Sequence, residues 1–420
     1  MKKEVIQAVV VLVFCALFRG SWAQCFSQND TVNNNNDIER AVNRLVNGSH
    51  QFGLDLFRLL YEEHNHISSG LFFSPFSVWS ALAVTLMGAK GQTEQEISNV
   101  LGVRELDKIV IARAYNYLHY REQSGSNSSS TYRLANKLFF QMNASLRQCL
   151  LEYFPTYITR VDFRADPEGS RQFINQWVED QTNNKIKDLL PPFSVNPTTN
   201  FVIANAVYFK GTWLKQFDTK NNRKARFLTG PGQQKVVDMM FTTDVFLYGI
   251  SEVLRCTAVE LPYSGQELSM VILLPHQSNS SLDNLIRLIT PSRLQELSNS
   301  MYPHQVVLYL PKFHIENDFD LAGTLQHLGL RDIFNPVFAD LSGFTGYRDI
   351  TVDAVRHKTY VDVNEEGTEA AAATGILATR ISKPDGPTLF KANHPFLFFI
   401  RNNRLNLIVF MGTVNSPQNQ

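Results

Sequence analysis

The sequence predicts an α+β fold in a single large domain over residues 49–417. Three observations carry this. Helical periodicity is concentrated in the first half and apolar strand-like runs in the second, an order that segregates helices from sheets instead of alternating them. Hydrophobic residues make up 44% of the 420, enough for a large core. No internal repeat and no linker divides the chain, so one domain is expected even at this length.

The N-terminus reads as a leader. Lys2 and Lys3 precede an apolar run, Val5–Phe18, broken only by Gln7, and Ser21-Trp22-Ala23 places small residues where a signal peptidase reads them. Cleavage after Ala23 is expected, since the run is short for a membrane anchor. The remaining chain holds 36 basic and 38 acidic residues, about −2. Such a balance gives no bulk attraction to nucleic acid or anionic lipid, and neither nucleic acid nor membrane is expected as a partner. Cys25, Cys149 and Cys256 are too sparse for a disulfide scaffold, and the odd number leaves at least one thiol unpaired; the pairing stays open. Sequons at Asn29, Asn47, Asn127, Asn143 and Asn279 fit a secreted, extracellular glycoprotein, whereas Pro197 excludes Asn196.

In chain order, residues 24–48 form a polar tail with an Asn33–Asn36 run, expected to be disordered. From about Val46, the positions Phe52, Leu56, Phe57 and Leu60 recur at helical spacing. Ser74-Pro75 starts the next helix, which is apolar nearly all round and should be buried. Arg104–Gln123 reads as a helix and Ser124–Ser130 as a solvated loop. Arg133–Phe140 is strand-like, Phe173–Leu189 an amphipathic helix, and Phe201–Phe209 a strong apolar strand. Val259–Leu274 and Val306–Phe313 read as strand pairs around turns, Asp318–Leu328 as helix, and Asp353–Asn364 as a strand. Hydrophobic strands over Phe390–Gly412 complete the core.

No catalytic signature is present: no Gly-x-Ser-x-Gly, no His-Glu-x-x-His and no phosphate-loop spacing. Gly88-Ala-Lys-Gly91 reads as a helix end and turn. His64 and His66 could form a metal pair, but isolated surface histidines are far commoner than ligands. Ser74, Ser77, Asn205 and His357 lie on three segments otherwise headed for the core, where each needs a partner.

The stretch Val363–Ser382 suits two conformations. Taken alone, Ala370–Ala373 favour helix. Read as a strand, one face carries Thr368, Ala370, Ala372, Thr374, Ile376 and Ala378, uncharged and mostly small, while the other begins with Glu369. The segment could be an exposed loop or an interior strand.

Glu365-Glu366-Gly367-Thr368-Glu369-Ala370-Ala371-Ala372 resembles, without a gap, the hinge of the serpin family. Further similarities run from about Gln51 to Pro417: the buried helix ending Gly-Ala-Lys-Gly-Gln-Thr-Glu at Gly88–Glu94, Asn-Ala-Val-Tyr-Phe-Lys-Gly-Thr-Trp at Asn205–Trp213, and Asn393-His394-Pro395-Phe396. The resemblance implies a serpin fold with a large central mixed sheet, further sheets, about nine helices and an exposed reactive-centre loop within 363–389. It implies a monomeric, non-enzymatic inhibitor needing no cofactor or metal, whose partner is a serine protease. It also implies a shutter at Ser74, Ser77, Asn205 and His357 and a breach at Trp213 and Lys358. For the scissile bond two positions stand open. Arg380 is the only basic residue between Val361 and Ser382 and suits a trypsin-like pocket, giving Arg380–Ile381. The family's count from Gly367 gives Ile381–Ser382, which suits an elastase-like pocket.

A non-inhibitory member acting as carrier, storage protein or chaperone is the main rival. Thr368–Thr374 carry on the inward face none of the charges, bulky residues or prolines that would obstruct insertion. A hydrolase is disfavoured by the missing nucleophile–base motif. Weak glycosaminoglycan binding at Arg104, Lys108, Arg113 and Arg121 is a further possibility, but Glu105, Asp107 and Glu122 interrupt the series, and a solvated helix face explains it more simply.

Overall fold

The computed structural model describes residues 35–64, 69–123, 131–230, 232–276, 282–367 and 386–418. Ten α-helices and fourteen strands are present among them, against about nine helices expected. The first is α1 (Asn35–Glu63), followed by β1 (Phe72–Phe73), α2 (Pro75–Gly88), α3 (Gly91–Val100), α4 (Lys108–Gln123) and β2 (Thr131–Gln141). Then come α5 (Gln148–Tyr153), β3 (Ile158–Val161), α6 (Pro167–Gln181), β4 (Phe201–Lys210), β5 (Arg223–Gly230), β6 (Gln233–Ser251), β7 (Cys256–Pro262) and β8 (Leu268–Pro275). The chain finishes with α7 (Leu282–Leu288), α8 (Pro291–Ser300), β9 (Tyr302–Pro311), β10 (Phe313–Asp320), α9 (Ala322–Leu328), α10 (Ser342–Thr345), β11 (Ala354–Val363), β12 (Thr388–Lys391), β13 (Phe396–Asn402) and β14 (Leu407–Val414).

Two sheets organise these elements. The five-stranded sheet runs β10-β11-β4-β2-β3. A nine-stranded sheet runs β1-β14-β13-β8-β7-β6-β9-β12, with β5 added beside β6. Alternation along β4 splits its side chains between two cores. Val202, Ala204 and Ala206 pack under α6 with Ile174 and Val178, whereas Phe201 and Ile203 join the helical core and Val207 and Phe209 the core shared with the second sheet. Every residue of α2 is buried, as its apolar circumference requires, and its N-cap Ser74 accepts a hydrogen bond from the Ser77 amide.

Several element boundaries depart from the sequence reading. Residues 35–48 are not tail but the first turns of α1, because Ala41, Leu45 and Val46 bury one stripe against the core. Residues 104–107 precede α4 instead of opening it. The helix expected over Phe173–Leu189 starts six residues earlier, where Asp166 caps Pro167 and accepts from the Gly169 amide. It stops at Gln181, before Asn183 and Asn184 take positive φ. Asp318 and Phe319 belong to β10, whose alternating burial is that of a half-buried strand; the helix begins only at Ala322.

Cys149 is disulfide-bonded. Cys256 is a free, fully buried thiol, and burial pushes its pKa up to about 12. Asn47 and Asn143 are exposed, whereas Asn29, Asn127 and Asn279 lie outside the described residues. His64 packs against the Phe319 ring, and His66 lies outside the described residues. Lys108 is committed to Glu94, 2.9 Å away, and therefore does not stand free on a basic helix face. Among the described residues no helix is long and apolar enough to cross a membrane.

Candidate functional site

The seam between β4 and β11 collects the singled-out residues. These strands are adjacent and parallel, from Ala354 opposite Val202 to Tyr360 opposite Tyr208. The chain leaves β11 at Val363 and turns through Asn364–Gly367, with backbone hydrogen bonds both ways between Asn364 and Gly367. A strand continuing from that turn and folding back would run antiparallel to both neighbours, the pairing with the better-aligned ladder.

At the upper end, the segment after β4 grips the turn. The amides of Trp213 and Phe217 donate to the carbonyls of Glu366 (3.1 Å) and Glu365 (2.9 Å). The Trp213 indole N–H donates to the Asn364 carbonyl at 3.0 Å, and its ring stacks on Tyr263 with centroids 4.5 Å apart. Gly367 bridges Thr212 at φ +124°, and a Cβ there would lie 2.1 Å from the Gly211 carbonyl oxygen, so glycine is required both by conformation and by space. The Glu365 side chain is buried, paired with Lys312 at 2.6 Å and hydrogen-bonded by Asn222. Burial opposes its ionisation, but the bonds from Lys312 and Asn222 prevail and hold the carboxyl below its ordinary range.

The centre of the seam is a neutral polar row. Asn136, Asn205 and His357 stand opposite one another on β2, β4 and β11. The Ser77 hydroxyl donates to Asn136 Oδ1 (2.5 Å), with Asn205 Oδ1 at 3.3 Å, and the Ser74 hydroxyl donates to the Val409 carbonyl (2.8 Å). The Ser74 amide donates to His357 Nε2 at 3.0 Å, which fixes the proton on Nδ1. His357 is fully enclosed, and burial lowers its pKa to about 3, so the ring is neutral. Two donors, Asn205 Nδ2 and His357 Nδ1, lack partners among the described residues, and they sit on the two strands that flank the seam. The arrangement closes the sheet with a full backbone ladder but leaves side-chain hydrogen bonding across its middle incomplete.

Ser74, Ser77, Asn205 and His357 are thus brought together. Lys358 is not brought to Trp213. It sits in mid-strand opposite Ala206, six extended residues (roughly 20 Å) below Asn364. It alternates to the other face of the sheet, where Nζ donates to the Lys187 carbonyl at 2.9 Å and pairs with Glu316 at 3.3 Å. Lys312 occupies the place expected of it. Asn136 and Lys312 were missed from sequence. Asn136 carries the same signal as Asn205, an amide inside an apolar strand, whereas Lys312 between Pro311 and Phe313 carries none. Of the hinge, Glu365, Glu366 and Gly367 are seen; Thr368, Glu369, Ala370, Ala371 and Ala372, with Arg380, Ile381 and Ser382, lie outside the described residues.

Comparison with known proteins agrees with this architecture. Human Serpin B3 is 36% identical over 395 residues, covering 90% of this chain and all of the relative. Human leukocyte elastase inhibitor is 37% identical over 391 residues, covering 90% of this chain and all of the relative. The fold superposes on uncleaved ovalbumin with a TM-score of 0.78 at 27% identity, covering 89% of this chain and all of that one. Maspin gives a TM-score of 0.80 at 26% identity, covering 90% and 100%. A family model described as serpin (serine protease inhibitor) matches residues 47–417, and the chain therefore belongs to the serpin family.

Proposed function

We propose that this serpin is a secreted suicide-substrate inhibitor of serine proteases. The observation that carries the reading is the parallel β4–β11 pair, flanking the position that a folded-back hinge would fill, with Gly367 at its mouth. A protease attacks the loop beyond the hinge and forms an acyl-enzyme. The freed segment from Thr368 then enters between β4 and β11, its uncharged small-residue face turned inward, and carries the bound protease away before water completes hydrolysis. The one domain runs over 49–417 together with the first turns of α1.

Secretion rests on the leader-like residues 1–23 and on Cys149, because stable disulfides belong to oxidising compartments. Cys25 lies outside the described residues.

Arg380 is the residue we assign to a trypsin-like pocket. The alternative, cleavage after Ile381, is favoured by the loop count and by relatives named leukocyte elastase inhibitor. Incubation with a panel of trypsin-like and elastase-like proteases, followed by denaturing gels and intact mass, decides between them. The expected result is a detergent-stable complex with a trypsin-like protease, lost in Arg380→Ala. Complex formation that survives Arg380→Ala with a cut after Ile381 moves the bond. Clean cleavage without any complex overturns inhibition.

A further inference from the structure

The outer face of the second sheet carries a row of cations and rings that the loop mechanism does not use. Phe241 on β6, Tyr309 on β9 and Lys391 on β12 stand in one register row across three adjacent strands. The two rings touch, with centroids 4.9 Å apart. The Arg223 guanidinium of β5 lies 5.5 Å over the Phe241 ring, and Lys391 Nζ lies 5.8 Å over the Tyr309 ring. Both cations are exposed and both rings half-exposed. The neighbouring row on this face is Thr243, Val307 and Leu389, with Leu389 62% exposed. By alternation Asp244 turns to the opposite face, where it pairs with Lys215. Beyond β12, Leu389 and Lys391 form one wall of an open cleft of about 400 Å³ that also contains His276 and His394.

Half-exposed aromatic rings with cations over them, and no carboxylate among the described residues of these two register rows, describe an acid-accepting, partly apolar surface. The rings restrict the cations, so less side-chain freedom is lost when a partner carboxylate binds. The position selects the partner. Thr388, the first residue of β12, is eight residues beyond Arg380, at most about 29 Å of extended chain. That span keeps a protease closed on the bond within reach of this face.

We propose that the Arg223–Phe241–Tyr309–Lys391 surface is a docking site for the body of the target protease, and that this protease bears acidic residues bordering its active-site cleft. The proposal rests on the inhibitory reading above and adds a determinant of which protease is chosen. Steering by two cations raises the encounter rate and leaves the later partition between trapping and hydrolysis unchanged.

The test uses the full-length protein and the panel protease that it inhibits fastest. Association rate constants are measured for wild type, Arg223→Glu/Lys391→Glu and the charge-neutral Arg223→Met/Lys391→Met, each first checked for an unchanged melting temperature. At low salt the double reversal is expected to slow association about tenfold and the neutral pair less, with the differences vanishing near 1 M salt and the trapped fraction constant. Rates within twofold of wild type for every inhibited protease overturn the docking site while leaving inhibition standing. Absence of a complex with any protease overturns inhibition and the docking site with it. Heparin binding that disappears in the double reversal, with protease rates unchanged, makes the surface a polysaccharide site and also overturns the proposal.

Discussion

The centre and the upper end of the β4–β11 seam are held by different chemistry. At the centre, uncharged groups from α2, β2, β4 and β11 meet in full burial, with two donors unpartnered among the described residues. At the upper end a charged pair, Lys312–Glu365, and three backbone or indole bonds from Trp213 and Phe217 pin the Asn364–Gly367 turn. The β4–β11 backbone ladder runs through the centre and ends at Tyr360–Tyr208, short of the turn. The central row is thus cheap to separate in side-chain terms and dear to charge, whereas the upper end is a latch whose strength depends on one ion pair. If the hinge opens the sheet, the latch must yield first and the centre follow. This is a hypothesis about order, and the two regions differ enough for separate tests.

The largest effect is expected from Thr368→Arg. In the exposed loop an arginine remains solvated, but insertion past the latch would strip its water without supplying a partner, at a cost of several kcal/mol. Even about 1.4 kcal/mol added to the insertion barrier slows it tenfold. Protease recognition should survive while the trapped fraction collapses and cleaved product accumulates, read as the ratio of covalent complex to nicked chain on denaturing gels. Wild-type trapping by this variant would mean that insertion does not begin at Thr368.

Lys312→Met tests the latch itself. It leaves Glu365 buried without its cation and should destabilise the upper end by about 3 kcal/mol. The expected readout is earlier urea unfolding together with loss of inhibitory capacity on mild heating, before the core unfolds. An unchanged urea midpoint would show that the backbone bonds to Trp213 and Phe217 suffice. Acidification should act on the same latch only at low pH: with its folded pKa below the ordinary 4.5, Glu365 contributes stability above that value and loses it as pH falls further.

The centre should respond to acid sooner. His357 keeps a folded pKa of about 3 against 6.5 unfolded, so its neutral state contributes fully above pH 6.5. Below that the unfolded chain binds a proton the folded one refuses, and stability falls by about 1.4 kcal/mol per pH unit towards pH 3. His357→Gln should lower this slope between pH 6.5 and 4 by about one proton's worth. A residual slope remains from His50, whose pKa burial lowers to about 4. Urea midpoints across that range give the slope, and an unchanged slope would place the titrating group elsewhere.

Much of this site was legible in the chain because it is local or periodic. The Ser74-Pro75 cap, the all-apolar helix after it and the strand read over Asp353–Asn364 each follow from spacing and backbone preference, whereas the hinge glycine is read from the family resemblance. Amides and a histidine inside apolar strands announce that they need partners. Boundaries failed where tertiary burial extended an element, as Ala41 and Leu45 do for α1, or where an alternating strand had helical residues at its end, as at Asp318. Partners failed for a deeper reason. Lys312 meets Glu365, and Lys358 turns to Lys187 and Glu316, only because strands distant in sequence are placed side by side in a fixed register, and a register shifted by one residue would exchange the two faces. By itself the sequence determined the order and type of most elements and that Ser74, Ser77, Asn205 and His357 were bound for the core. Only the tertiary structure decided which of them meet, because a side-chain contact depends on the pairing of strands and the face each residue takes, and neither is carried by a residue's own neighbours.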